Sequence, residues 1–510
     1  MLAAIVLLPA LAGILAFVVP ARRVRQVLLT LTPLGHLALC ALTFSSPPAP
    51  LLHGWLHLDA AGQLFLTTTS VLFVAASFQT LGYLDRERDH HALEAAAAGF
   101  AKVPEAVFSG CLLLLLASLS LVTMCQHFGL LWVAVEATTL TSAPLIYYHR
   151  DGRSLEATWK YLVVCSVGIA LALLGNFFLA VAASQQTGSP ALVVSELIAA
   201  GPELHPSWLK GAMIFFVVGY GTKMGLAPLH TWLPDAHSEA PATVSAVLSG
   251  AVLNGAFLAI LRGMQVCGAA GLGAFARELL LLFGLVSMAT AAVFVLRQPD
   301  YKRMLAYSSV EHMGVLAVGV GIGGAGAYGA MLHAVNHSLA KGTLFLAAGQ
   351  ILAVYATKRS NQVKGLLEGY PLIGMVWLGG FLAVSGVPPF GTFLSELTIA
   401  KAAIDQHRPV VLVLFLLLLS IVFIGMASSV LPMAQGRYEG ERPASPAGGW
   451  KQLLPSMVLG ALALGMGLAI PSFVQDRLND ASAMLPSVEE PSTPTQTTLA
   501  ISAPSFEGGH

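Results

Sequence analysis

The chain has 510 residues, 56% of them hydrophobic and only 10% charged, with 26 Lys and Arg balanced by 26 Asp and Glu. Mean hydropathy is +0.75. Soluble domains carry about 25% charged residues, so composition excludes an ordinary soluble fold, and the zero net charge gives no reason to expect a nucleic-acid partner. The five cysteines, Cys40, Cys111, Cys125, Cys165 and Cys267, form no CxxC pair and lie mostly in apolar runs. That pattern speaks against iron–sulfur or zinc ligation and against a disulfide framework.

Apolar runs near the ~20 residues of a bilayer helix recur along the whole chain. They fall at 2–20, 27–45, 61–84, 107–126, 128–148, 157–183, 209–234, 240–264, 276–297, 303–323, 327–356, 371–404, 409–433 and 452–472. The expected fold is therefore an all-α polytopic membrane protein of about 14 transmembrane helices. No basic residue precedes the first run, and Arg22, Arg23 and Arg25 follow it. This is the reverse of a cleavable signal peptide, and we expect a retained first span. Loop charge supports the count. Lys210, Arg262, Arg277, Arg408 and Arg477 fall in loops on one side, and all other loop Lys and Arg fall on the opposite side. Under the positive-inside rule both termini are expected outside the cytoplasm. Lys160, Lys223, Lys341 and Lys401 remain inside spans. The end of the chain, 474–510, is polar, and from Ser487 to His510 it is rich in Pro, Ser and Thr. It reads as a disordered tail.

Two spans are interrupted. The seventh carries Lys223 just before Gly225 and Pro228, with His230 in the break. The twelfth reads GFLAVSGVPPFGTFLSELTIAK, with Pro388-Pro389 as the break and Glu396 after it. A lysine at a helix centre costs roughly 2.5–3.5 kcal/mol on insertion scales. Broken backbone at membrane depth persists only where protein or a water-filled cavity satisfies it. Paired interruptions in two halves are the mark of an inverted-repeat transporter. The expected organisation is helices 1–3 over 1–106, a first inverted five-helix repeat over 107–266, a second over 273–433, helix 14 over 452–473, and the tail. Each repeat holds one Pro-broken helix.

Glu136 lies mid-span in LLWVAVEATTLTSAPLIYY. Intramembrane carboxylates are functional candidates by default, and Glu136 is the expected counter-charge of Lys223. A carboxylate that approaches or recedes can tip a buried lysine between its charged and neutral forms, against the ~2.3 kcal/mol that one charge exchanges with a 100 mV field. Lys160, in the first turns of span six, either lines a path or snorkels to the surface. His333, His337 and Lys341 recur at i, i+4 and i+8, so they share one helix face. His312 extends that face or packs within the core. Two histidines at i, i+4 bind zinc in H-E-x-x-H helices. Here the glutamate is absent and a lysine lies one turn on, so a proton-hopping face is expected and no metal. The literal G-x-G-x-x-G at Gly321, Gly323 and Gly326 follows no strand and is not a dinucleotide site. The expected relay is Glu136, Lys160, Lys223, His230, His312, His333, His337, Lys341 and Glu396, with no catalytic, cofactor-binding or metal-ligating residue.

The string GTKMGLAPLHTWLPDAHSEAPATVSAVLSG, followed in order by YKRMLAYSSVEHMG, HAVNHSLAKGTLFL and SGVPPFGTFLSEL, resembles the antiporter-like subunits of respiratory complex I and of Mrp-type antiporters over roughly residues 60–430. Within that family, VEATTL, SLEATWKY and HSLAKGTLF look most like the F component of hydrogenase 4, of the formate-hydrogenlyase type. The resemblance implies a fourteen-helix proton-translocating subunit of a hydrogenase or complex I-like oxidoreductase in a prokaryotic inner membrane. Glu136 takes the fifth-helix glutamate role, Lys223 the broken-helix lysine role and Lys341 the eleventh-helix connecting lysine role, and Glu396 stands in helix twelve. The same resemblance puts iron–sulfur clusters and a nickel–iron or quinone site in partner subunits, with no cofactor in this chain. Two departures stand out. Asn254 replaces a lysine common in span eight, and an amide cannot store a proton. The long lateral C-terminal helix of the most distal complex I subunit is not seen in the sequence. The alternatives are a Na+/H+ antiporter subunit, the proton-conducting partner of an inorganic-carbon uptake complex, and a non-transporting scaffold.

Overall fold

A computed structural model describes residues 1–94, 105–184, 191–437 and 449–486. Among these residues the chain is helical, with isolated bridges only. In order come α1 (Leu2–Val18), α2 (Arg22–Ser45), α3 (Ala60–Glu94), α4 (Glu105–Met124), α5 (Phe128–Ile146), α6 (Gly152–Ala183), α7 (Val194–Ala199), α8 (Pro206–Met224), α9 (Trp232–Glu239) and α10 (Ala242–Val247). A π-turn at Leu248–Val252 leads into α11 (Leu253–Ala269). Then follow α12 (Gly273–Val295), α13 (Tyr301–Ile322), α14 (Ala325–Tyr355), α15 (Leu366–Gly369), α16 (Pro371–Val384), α17 (Gly391–Asp405), α18 (Pro409–Gln435), α19 (Gly449–Leu468) and α20 (Ser472–Ala483). Eleven of the described helical segments are long and apolar enough to cross a membrane, so the protein is a multi-pass membrane protein.

α5, α6 and α13 begin where the sequence offers side chains to their unpaired N–H groups. His127 Nδ1 accepts from Gly129 and Leu130 at the start of α5. Asp151 and Ser154 form a capping box on α6. Asp300 accepts from Lys302 and Arg303 at the start of α13. The segment from α10 to α11 is enclosed by protein on every side, whereas α18 turns Val410, Val413, Leu417 and Ile424 outward. Polar side chains follow the same division. Lys223, Lys341, His312, His333 and His337 are buried, where protein replaces lipid.

The two interrupted spans are built alike. α8 ends on Gly225 at φ +87° and α16 on Gly386 at φ +61°, the left-handed region that favours glycine. In each, the residue after the glycine bonds back to the helix, Leu226 N to Gly221 O at 2.8 Å and Val387 N to Leu382 O at 3.2 Å, the Schellman pattern. In each, a side chain from the following half-helix then takes a freed carbonyl. Trp232 Nε1 donates to Thr222 O at 2.8 Å, and Thr392 Oγ1 donates to Ala383 O. Ser287 of α12 accepts from the buried Ala227 N–H in the first break. The backbone groups that lipid cannot satisfy thus find partners within the protein.

Some sequence expectations shift. Arg22, Arg23 and Arg25, expected in a loop, open α2. Arg262, also expected in a loop, lies inside α11, fully buried, and pairs with Asp59 ahead of α3. Lys302, expected in a loop, is buried in the first turn of α13 and donates to Ser238 O and Ala240 O. The polar end expected from 474 carries a helix, α20, packed against α3 and α14, because Val474 and Leu478 supply an apolar stripe within it. The expectation for Ser487 to His510 lies outside the described residues.

Candidate functional site

Close approach of α6 and α8 sets up the first centre. A side chain at Gly219 would meet the backbone of Gly168 and Ala172, so the two helices touch through small residues. This brings Tyr161 of α6 to the end of α8. Lys223, fully buried, is the last turn's cation, where the helix dipole favours positive charge. Its ammonium donates to Thr139 Oγ1 at 2.9 Å and to Tyr161 Oη at 2.5 Å, and lies 4.6 Å from the Tyr161 ring centroid. Tyr161 Oη in turn bonds Ser142 Oγ at 2.6 Å. Glu136 does not touch Lys223. It accepts from Thr139 Oγ1 at 3.2 Å and from Ser166 Oγ at 3.2 Å. Thr139 therefore stands between acid and base. The two charges are within about 6 Å, and at an effective dielectric near 20 their attraction is about 3 kcal/mol.

The second centre forms where α13, α14 and α17 meet. Lys341 is fully buried and donates to Leu305 O at 2.9 Å and Ser308 Oγ at 2.7 Å. His312 Nδ1 and His333 Nε2 are 2.8 Å apart, and His333 Nδ1 is 2.8 Å from Ser395 Oγ. The His337 ring lies 4.8 Å from that of His312, and neither of its nitrogens has a partner. Glu396 sits beside the break at Gly386, where a Cβ would run into its carboxylate. A small cavity lined by Ser308, Glu311, Ser385 and Glu396 joins the two carboxylates.

Between the centres runs the enclosed α10–α11 segment. Its π-turn frees Gly250 O, which accepts from both Asn254 Nδ2 at 3.1 Å and Ser338 Oγ at 2.7 Å. Asn254 also donates to Ser338 Oγ at 2.8 Å, and Ser249 bonds Ser309 at 2.8 Å. π-turns often mark functional sites, and this one tethers the central helix to α13 and α14.

The remaining candidates lie apart. Lys160 pairs with Glu156 at 2.6 Å and Asp235 at 2.9 Å with its side chain 47% exposed, away from the Lys223 cluster. His230 is buried in the first break, its Nδ1 without a partner and its ring 6.3 Å from Tyr307. Three residues absent from the sequence selection join the network, Thr139, Tyr161 and Glu311, and a fourth, His237, is a further buried titratable group. Glu311 is a carboxylate inside a span and meets the criterion that selects Glu136. His237 is wholly buried, stacked on Phe345 at 5.1 Å, with both nitrogens unpartnered. Thr139 and Tyr161 carry no signal in one dimension, since only folding brings them to Lys223.

Comparison with known proteins places this architecture. A family profile described as "NADH:quinone oxidoreductase/Mrp antiporter, TM" matches residues 125–422. A hydrogenase-4 component F homolog of Methylacidiphilum infernorum is 40% identical over 57% of this chain. The match spans 61% of that relative, less than two thirds of its length. NADH-quinone oxidoreductase subunit N of Desulforudis audaxviator is 31% identical over 72% of this chain and 74% of its own. Among solved structures, a chain of the membrane-bound sulfane sulfur reductase, an archaeal respiratory membrane complex, superposes with a TM-score of 0.83 at 20% identity, covering 95% of this chain and 98% of that one.

Proposed function

The chain belongs to the NADH:quinone oxidoreductase/Mrp antiporter membrane family, and from that premise we propose that it is the proton-translocating membrane subunit of a membrane-bound hydrogenase or complex I-like oxidoreductase. The observation that carries this reading is the Lys223–Thr139–Glu136 triad. A buried ammonium at a helix break is held by neutral hydroxyls, with a carboxylate one hydroxyl away. The about 3 kcal/mol of Lys–Glu attraction is comparable to the ~2.3 kcal/mol per charge of a 100 mV field. Drawing Glu136 away therefore loosens the hold on the Lys223 proton by an amount of the same size as that field supplies. A proton leaving Lys223 then passes towards Lys341 across the α10–α11 segment, and from Lys341 through Glu311, His312 and His333 to Glu396.

The finer architecture belongs to the same proposal: fourteen spans, with inverted five-helix repeats over 107–266 and 273–433. The two like-built breaks at Gly225 and Gly386 support it. Redox centres would reside in partner subunits, the membrane would be a prokaryotic inner membrane, and both termini would face away from the cytoplasm. Lys223→Ala in the intact complex is expected to abolish redox-driven proton uptake in membrane vesicles while subunit composition is unchanged. Normal translocation in that variant sinks the assignment. The family description also names Mrp antiporters, and this second reading predicts that an imposed sodium gradient drives proton movement through the same vesicles. A pH response indifferent to sodium favours the first reading.

A further inference from the structure

His312, His333 and Glu396 come from three different helices, and each offers one ligand atom within 4.8 Å of the others. Their hydrogen bonds determine which nitrogens face inward. Ser395 has one hydroxyl hydrogen and donates it to Thr392 O at 2.7 Å. Its oxygen therefore accepts from His333 Nδ1 at 2.8 Å, which assigns the proton to Nδ1 and leaves a lone pair on His333 Nε2. That nitrogen faces His312 Nδ1 at 2.8 Å. The outer nitrogen of His312, Nε2, makes no hydrogen bond although the residue is 1% exposed, and Glu311 Oε2 lies 3.5 Å from it. Each ring thus has an acceptor waiting behind it and a second nitrogen turned towards the same point. Metal-binding histidines are held in this way, by a carboxylate, a carbonyl or water on the far nitrogen.

Glu396 of α17 brings a carboxylate to the two rings. Lys341 stands on the same helix face as His333 and His337, and its ammonium donates to Leu305 O and Ser308 Oγ. His337 adds two buried nitrogens without partners, its ring 4.8 Å from that of His312. Two imidazoles and one carboxylate with a position left open is a zinc donor set. Nitrogen ligands disfavour hard cations, which prefer oxygen.

We propose that His312, His333 and Glu396 bind a divalent transition cation of the zinc class, and that its binding arrests the relay. His312 keeps one proton, which moves from Nδ1 to Nε2, where Glu311 accepts its hydrogen bond. Nδ1 and His333 Nε2 then ligate the metal, and any proton on Glu396 leaves to solvent. The metal takes the place of the proton shared between the rings, and the two nitrogens part from 2.8 Å to the roughly 3.3–3.4 Å that two tetrahedral Zn–N bonds require. The arrest rests on the function proposed above; the binding does not.

The test uses the assembled complex, stripped by chelator and titrated with zinc. Wild type is expected to retain one more tightly held zinc than His333→Gln and Glu396→Gln complexes of the same subunit composition. Zinc K-edge absorption should show imidazole scattering with Zn–N near ~2.0–2.1 Å. Ser395→Ala, which removes no ligand, should weaken zinc affinity about 10–100-fold. Equal zinc content in wild type and both variants, or unchanged affinity in Ser395→Ala, overturns the site. Vesicle measurements decide the second half. Zinc at saturating occupancy should stop proton translocation, and full translocation with the site occupied overturns the arrest while leaving the site standing.

Discussion

At the scale of single residues, the most informative position is Thr139. Lys223 and Glu136 share no direct contact, and the hydroxyl between them gives to the carboxylate and takes from the ammonium. Thr139→Val keeps shape and burial but removes that hydroxyl. It leaves one of the ammonium's two hydrogen bonds unmade, and a hydrogen bond to a charged group is worth about 1.5–3 kcal/mol. Proton translocation should fall at least tenfold in Thr139→Val and return in Thr139→Ser. Equal rates in threonine and valine forms would show that Thr139 is merely packed there. Arg262 makes a different point. Its guanidinium is fully buried against Asp59, which also accepts from Gly62 N at 2.8 Å and Gln126 Nε2 at 3.3 Å. Removing one partner of a buried pair costs about 3–5 kcal/mol, because the other charge is left uncompensated. Arg262→Ala should therefore lower the thermal midpoint of the complex sharply, and adding Asp59→Asn should restore much of it. No recovery in the double variant would mean that the pair does not act through its charge.

At the scale of elements, the two breaks depend on glycine geometry. Gly225 has φ +87°, and a Cβ there would strike Leu233. A left-handed conformation costs an ordinary residue roughly 1–2 kcal/mol, before the clash is counted. Gly225→Ala should lower thermal stability by at least that much and displace the half-helix that carries Trp232. A melting curve that matches wild type would show that the Schellman end of α8 tolerates a side chain. The π-turn at Leu248–Val252 is the other element that local sequence does not announce. It arises where Gly250 O is shared by Asn254 and Ser338, a contact between α10–α11 and α14.

At the scale of the whole molecule, the charge distribution makes an orientation prediction. With both termini outside the cytoplasm, a single cysteine placed at Leu52, in the exposed segment before α3, should react with a membrane-impermeant thiol reagent from outside the cell. One placed at Arg153 should react only after the cytoplasmic face is opened. The reverse labelling would invert the topology.

Composition and apolar run length determined that this is a helical membrane protein, because lipid permits few other ways to satisfy a backbone. The positions of Lys223, Lys341, Glu136 and Glu396 were legible for the same reason, since each is a costly group in an apolar run. Pro228 and Pro388-Pro389 marked both breaks. Tertiary structure alone decided what those charges touch. Tyr161 reaches Lys223 only because α6 and α8 pack through small residues, and Thr139 reaches it from a third helix, α5. Glu396 reaches His312 and His333 only because α17 folds back past α14. Arg262 and Lys302, which a hydropathy reading leaves in loops, are buried because distant partners, Asp59 and the carbonyls of Ser238 and Ala240, offset their desolvation. A charge is visible in one dimension, but its partner is a property of packing.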